Sequence, residues 1–84
     1  MWYVYIVECN DDSLYTGITT NLERRVSEHN KKVGAKSVRG KLPVKLIYHE
    51  RVENKVIAAK REREIKGWNR IKKLELIKNF RGLE

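Results

Sequence analysis

Arg25 and His29 stand four residues apart, the spacing that puts two side chains on one face of a helix. A planar, permanently charged guanidinium suits bidentate contact with a phosphate, and a nearby imidazole can donate to the same anion or move a proton. Upstream, Tyr5 and Tyr15 fall in runs of strand character, where successive side chains alternate between faces. Tyr3 and Tyr5 then share one side of a strand, and Val4 and Ile6 share the other. In a hairpin centred near Asp11, Tyr5 lies close to Gly17, and a glycine there removes the side chain that would crowd the ring or a ligand. Both tyrosine hydroxyls can then be presented near the start of the helix that carries Arg25 and His29. Further along, Glu62 and Glu64 fall on opposite flanks of the apolar stripe of a second helix. A carboxylate at such a border is half-shielded, which suits a hard divalent cation that keeps several waters. The helical wheel does not choose between the two, and either can instead pair with a neighbouring Lys or Arg. Plainer readings exist for the same residues, as strand aromatics with solvated tips and as an exposed basic helix face, which is all that Arg24 is expected to be.

The elements that must position these groups follow from pattern. "WYVYIVEC" (2–9) is rich in aromatic and β-branched residues, "NDDS" (10–13) is a turn signal, and "LYTGIT" (14–19) resumes the strand character. Thr20 with Glu23 matches a capping box, with Asn21 as a competing cap. The spacing predicts a helix from about Leu22 to Lys32, with Leu22 and Val26 facing inward. Gly34, Gly40 and Pro43 break the pattern over 31–43, a stretch with Lys31, Lys32, Lys36, Arg39 and Lys41 and no acidic residue. That stretch is expected to be a solvated basic loop. "VKLIYHERV" (44–52) reads as a third strand, and a helix is expected from about Glu53 to Lys66, with Ile57, Ala58, Ile65 and Trp68 on one side and Arg61 near its middle. Gly67 sits where a helix C-terminus uses glycine. Asn69 can cap a third helix, in which Ile71, Leu74 and Ile77 repeat on one face and Phe80 lies near the end. The order β-β-α-β-α-α implies an α+β fold, a small sheet packed with helices, as a single domain over 1–84.

Charge narrows the partners. Nineteen Lys and Arg against eleven Asp and Glu give +8, a field that attracts polyanions, nucleic acid before anionic membrane. Cys9 is the only cysteine, which excludes an intramolecular disulfide and a cysteine-rich zinc site and fits a reducing cytoplasm. A lone thiol near a strand end reads as a small buried filler. "MWYVYIVEC" has no basic leader and stops being apolar at Glu8, so neither a signal peptide nor a membrane span is expected there.

"YVY" (3–5), "YTG" (15–17), Arg25 eight residues after the glycine, His29 four further on and a helical Glu together resemble the GIY-YIG nuclease superfamily. Its small, stand-alone bacterial (YhbQ-like) subgroup is the nearest likeness, through "GAK…RG…P", "LIYHE" and "REREIK" as well. The resemblance covers nearly the whole chain. It implies a three-stranded antiparallel sheet flanked by helices, and phosphodiester hydrolysis with one divalent cation, Mg²⁺ or Mn²⁺. Residue by residue it implies that Tyr5 and Tyr15 are the two motif tyrosines, Gly17 the motif glycine, Arg25 the phosphate-contacting arginine and His29 the histidine one turn later. Glu62, three residues before Ile65-Lys66, is the implied metal ligand, with Glu64 as the fallback. Tyr3 stands where the motif has glycine and Thr16 where it has isoleucine.

The expectation is therefore a DNA endonuclease of low sequence specificity, serving repair or recombination. The basic loop would contact backbone phosphates without reading bases, and a protein partner could supply targeting. Tyr5 is favoured as the residue that orients or deprotonates the attacking water, with Tyr15 second. An ordinary phenol pKa of about 10 then demands a nearby cation. A nucleic-acid-binding module with weak or lost catalysis is the main rival, and a domain that binds an acidic protein is the third class.

Overall fold

In a computed structural model, which describes residues 1–82, the first two apolar runs form an antiparallel hairpin, β1 (Trp2–Glu8) and β2 (Leu14–Thr19). The turn between them is closed by Asp11, whose carboxylate accepts from both the amide and the hydroxyl of Ser13 at 3.0 and 2.6 Å. Asp12 takes the left-handed backbone conformation that Asp tolerates better than most residues. This turn sets the register, pairing Tyr5 with Gly17 and Val7 with Tyr15. A third strand, β3 (Lys45–Val52), pairs antiparallel with the other side of β1, giving the order β2-β1-β3. The three helices are α1 (Leu22–Asn30), α2 (Lys55–Lys66) and α3 (Arg70–Gly82). The expected α+β architecture and element order are those observed; residues 83 and 84 of the expected domain lie outside the described residues.

Strand alternation divides the core in two. Val4 and Ile6, both fully buried, point to one face with Ile47, Ala58, Ile65 and Ile77, where α2 and α3 pack. Tyr5, Val7 and Cys9 point to the other, where Leu22 and Val26 of α1 and Val38 of the 31–43 segment cover them. Cys9 is thus the buried filler its context suggested.

Local chemistry moved several boundaries. Asn21, not Thr20, caps α1, its side chain accepting from the Arg24 amide at 3.0 Å. That helix ends at Asn30 rather than Lys32 because the chain reverses in a Schellman turn. The Val33 amide donates to the Glu28 carbonyl and the Lys32 amide to the His29 carbonyl, each at 3.0 Å, with Lys32 itself left-handed. Asn30 then brackets Val44, accepting from its amide at 2.8 Å and donating to its carbonyl at 3.2 Å. The second helix starts at Lys55, two residues later than expected, since Asn54 supplies the cap. Asn69 caps α3 as expected. Gly67 ends α2 in a right-handed conformation, so its special freedom is not used.

Three expectations about burial need correction. On α3, Ile77 is buried, but Ile71 and Leu74, expected on the same apolar face, remain 69 % and 42 % exposed. The 31–43 segment is not simply a solvated loop: a short 3-10 turn (Lys36–Val38) plugs Val38 into the core at 1 % exposure, and Ala35 and Leu42 pack beside it. Ile57 does not join the buried stripe of α2 and remains 43 % exposed, because Ala58 and Ile65 centre that stripe and Ile57 lies about 90° away. Among the described residues no helix is long and apolar enough to cross a membrane.

The apolar face holds one misfit, the buried hydroxyl of Thr16, which has no hydrogen-bond partner among the described residues. A buried unsatisfied hydroxyl costs about 1–3 kcal/mol, so Thr16→Val should raise unfolding stability by about 1 kcal/mol in urea titrations. Ile65→Ala should lower it by about 2–4 kcal/mol, and Ile57→Ala by less than about 1 kcal/mol.

Candidate active site

Three rings meet on the α1 face of the sheet. Tyr5 rises from the centre of β1 and is 1 % exposed, and its hydroxyl lies 2.8 Å from Nε2 of a fully buried His29. The Tyr15 ring stands edge-on to His29 at 5.5 Å between centroids and 6.4 Å from Tyr5. Gly17, directly across from Tyr5 in the ladder, makes the arrangement sterically possible. A Cβ at Gly17 would sit 2.5 Å from the Tyr5 hydroxyl oxygen and 2.7 Å from its ring carbon Cζ. The close approach inferred from the hairpin is therefore a packing requirement at this glycine.

Helix α1 brings Arg25 and His29 to the same place, as their spacing required. The Arg25 guanidinium lies beside the Tyr5 hydroxyl and also pairs with Glu28 at 3.2 Å, with about a third of its side chain still open to solvent. His29 departs from the expectation of a shared anion contact. Its ring is wholly enclosed and both nitrogens are engaged, Nε2 by Tyr5 and Nδ1 by the Ala35 amide at 3.3 Å. Gly34 presses on the same ring, and a Cβ there would collide with Nδ1 and come within 2.9 Å of the His29 Cα. Sequence reasoning missed Gly34 and Ala35; the only signal was a small-residue pair five and six positions beyond a histidine.

Rotation of α2 separates its two carboxylates. With the stripe centred between Ala58 and Ile65, Glu62 falls about 50° to one side and Glu64 about 110° to the other. Glu62 is 22 % exposed and pairs with Lys66 at 3.1 Å, and the Lys66 ammonium lies 5.6 Å from the centroid of the Tyr15 ring. Its charge also reaches Tyr5. Glu64 belongs to a different network: it pairs with Arg61 at 2.5 Å, Arg61 with Glu50 at 2.6 Å, and Glu50 accepts from the Tyr48 hydroxyl at 2.7 Å. Of the basic loop residues, Lys31, Lys32, Lys36 and Arg39 are exposed, while Lys41 approaches Asp11 at 3.8 Å.

The electrostatics resist ionisation at the centre. Burial pushes the Tyr5 phenol up to about 12, against the pull of the Arg25 guanidinium, and the charges of Tyr15 and Glu62 add to the rise. Burial and the Arg25 charge hold the His29 imidazole below its ordinary range, favouring a neutral ring. Among the described residues no three His, Cys, Asp or Glu side chains come together. The donor set is therefore one half-shielded carboxylate, Glu62, which fits a hard cation that retains most of its waters rather than a protein cage.

Residues 1–75 match the family described as the GIY-YIG catalytic domain. The chain belongs to the GIY-YIG family. A UPF0213 protein of Natronomonas pharaonis is 50 % identical over 80 residues, covering 95 % of this chain and 94 % of the relative. One from Clostridium perfringens is 56 % identical over 77 residues, covering 92 % and 83 %. Two solution NMR structures are also similar. A UPF0213 protein from Bacillus halodurans has a TM-score of 0.60 at 42 % identity, covering 93 % of this chain and 84 % of that one. A protein from E. faecalis has a TM-score of 0.63 at 40 % identity, covering 98 % and 86 %. Membership of this GIY-YIG family implies a nuclease-type domain that binds nucleic acid and generally works with a divalent ion.

A raised phenol pKa makes stability fall where the unfolded chain ionises first. For Tyr5 that window runs from about pH 10, the unfolded value, to about pH 12, the folded one. Tyr5→Phe should remove about 2–3 kcal/mol of the alkaline loss seen in denaturant titrations across that window. The remainder should include Tyr48, also raised to about 12, chiefly by burial.

Proposed function

We propose that this chain is a metal-dependent endonuclease that hydrolyses phosphodiester bonds in DNA with low sequence specificity. The observation that supports it best is the convergence of Tyr5, Tyr15, Arg25 and His29 around Gly17, with Glu62 at the rim. In such a hydrolysis water attacks phosphorus, the bond to the leaving oxygen breaks, and that oxygen takes up a proton. Arg25 would hold the non-bridging oxygens of the scissile phosphate and offset the charge that grows on them. Its partly open guanidinium and partly exposed Glu28 partner are consistent with exchange of a carboxylate for a phosphate.

Tyr5 is the favoured residue for the attacking water, with Tyr15 second. With its pKa near 12 the Tyr5 phenol is protonated at neutral pH, so it can orient water as it stands and serves as a base only once positive charge draws its proton off. Glu62 would hold the divalent cation, Mg²⁺ or Mn²⁺, through the carboxylate that Lys66 otherwise neutralises. When bound, that ion would supply charge stabilisation for phosphate and leaving oxygens.

The 31–43 segment is the preferred phosphate-contacting surface, because it packs on the same sheet face as Tyr5. The basic residues of α3, Arg70, Lys72, Lys73 and Lys78, belong to the helix that packs on the opposite face, so the loop takes precedence. Contacts of this kind hold the backbone without reading sequence. Action in the cytoplasm on DNA undergoing repair or recombination, with a protein partner for targeting, completes the reading. The binding-module alternative draws on the high Tyr5 pKa.

Cleavage of supercoiled, single-stranded and branched DNA with Mg²⁺ or Mn²⁺ tests the proposal. Metal-dependent cutting is expected, with Arg25→Ala and Glu62→Ala each reducing it by at least about a hundredfold and Glu62→Ala leaving DNA affinity within about threefold. Cutting by Glu62→Ala at the wild-type rate would overturn the metal assignment. Salt-sensitive binding with no cutting by the wild type would establish the binding module instead.

A further inference from the structure

The buried imidazole of His29 is held from both sides, and the two contacts are not equivalent. A backbone N–H can only donate, so the Ala35 amide requires a lone pair on Nδ1. A neutral ring with its lone pair on Nδ1 carries its proton on Nε2, the nitrogen that faces the Tyr5 hydroxyl at 2.8 Å. His29 is then the donor and the Tyr5 oxygen the acceptor, which leaves the Tyr5 hydrogen to point elsewhere. The reverse assignment would set two N–H groups against each other at 3.3 Å inside the core.

The geometry that brings Ala35 there is built by the neighbouring residues. Lys32 in its left-handed conformation turns the chain back over the end of α1, and Gly34 passes so close to the imidazole that no side chain fits. Gly34 does not have a positive φ, so it is space and not backbone freedom that demands a glycine. The extended backbone of Ala35 aims its amide at the ring before the 3-10 turn begins at Lys36.

We infer that the Gly34–Ala35 segment is a positioning element of the site, fixing His29 as the Nε2–H tautomer so that it donates to Tyr5 and does not take the Tyr5 proton. The catalytic consequence rests on the nuclease reading above; the tautomer itself does not. With His29 as donor, the Tyr5 oxygen is supported as a hydrogen-bond acceptor and, if ionised, as a phenolate. The proton leaving Tyr5 must go to solvent or substrate, not to His29. Lys32 and Lys36 flank the segment, so phosphate contact by the loop and the setting of His29 depend on the same short stretch of chain.

Long-range proton–nitrogen NMR of the full chain with ¹⁵N-labelled histidine tests this directly, because the two ring nitrogens differ strongly in shift when only one carries a proton. The chain has two histidines, and His49→Gln assigns the spectrum. At neutral pH the expected result is a protonated Nε2 and an unprotonated Nδ1 for His29. A protonated Nδ1, or an even mixture of tautomers, overturns the inference whether or not the protein cuts DNA. Gly34→Ala should shift His29 towards a tautomer mixture, and an unchanged His29 spectrum in a folded Gly34→Ala variant also overturns it.

Activity supplies the second readout. A glutamine amide can occupy the Nε2 position and donate, but it cannot take a proton near neutral pH. His29→Gln should therefore retain at least tenfold more cleavage than His29→Ala, with the difference in kcat rather than KM. Equal loss in the two variants, both folded, would make His29 a proton acceptor and overturn the donor role. Absence of cleavage by the wild type, with the Nε2–H tautomer present, would defeat the nuclease reading and leave the positioning inference standing.

Discussion

A single hydrogen bond between buried side chains, Tyr5 to His29, organises one whole face of this small sheet. Both groups are inside the protein, and removing either partner would strand a polar atom where water does not reach, at a cost of about 1–3 kcal/mol. The contact joins residues 24 apart in sequence, so it ties α1 to the central strand alongside the apolar contacts of Leu22 and Val26. Two glycines make the space for it. Gly17 clears the floor beneath the Tyr5 ring, and Gly34 clears the side of the imidazole.

The two faces of the sheet solve different problems. Behind the sheet, Val4, Ile6, Ala58, Ile65 and Ile77 form an apolar layer. The charges at its border are mutually paired, with Arg61 bonded to Glu50 and Glu64 and stacked over Trp68. In front, polar groups are buried among fewer apolar neighbours, and the charges near them are less completely matched. Arg25 divides itself between the Tyr5 hydroxyl and the partly exposed Glu28, and Glu62 pairs, among the described residues, with the half-exposed Lys66. A surface ion pair of that kind is worth about 1 kcal/mol or less, so exchange of its partner for a phosphate or a cation is cheap. Local stability and readiness to bind are thus distributed to opposite sides of one three-stranded sheet.

Much of this was legible in the sequence because the signals were local. Alternation in "WYVYIVE" assigns Tyr5 to one face, and the short polar turn leaves little choice of register, so its meeting with Gly17 could be read in advance. Arg25 and His29 share a helix face by spacing alone. Other features failed to show for equally physical reasons. The Thr20–Glu23 pattern was a valid capping box, but Asn21 occupied the cap and shifted the competition by one residue. The 31–43 segment looked like loop because its glycines and lysines are loop-forming, and nothing in its composition shows that Val38 is the plug that anchors it.

By itself, then, the sequence determined the element order, the faces of the strands and the identity of the tyrosines, glycine and arginine that meet, since these depend on periods of two and 3.6 residues and on a short turn. Only the tertiary structure decided that Glu62 and not Glu64 lies towards the tyrosines, because that depends on how α2 is rotated against a distant sheet. Only the tertiary structure, likewise, enclosed His29 and set the Ala35 amide against it, because burial is a property of what the chain folds back over a residue. Periodicity is written locally, whereas the return of a loop onto a helix end is a long-range packing outcome that no local pattern encodes.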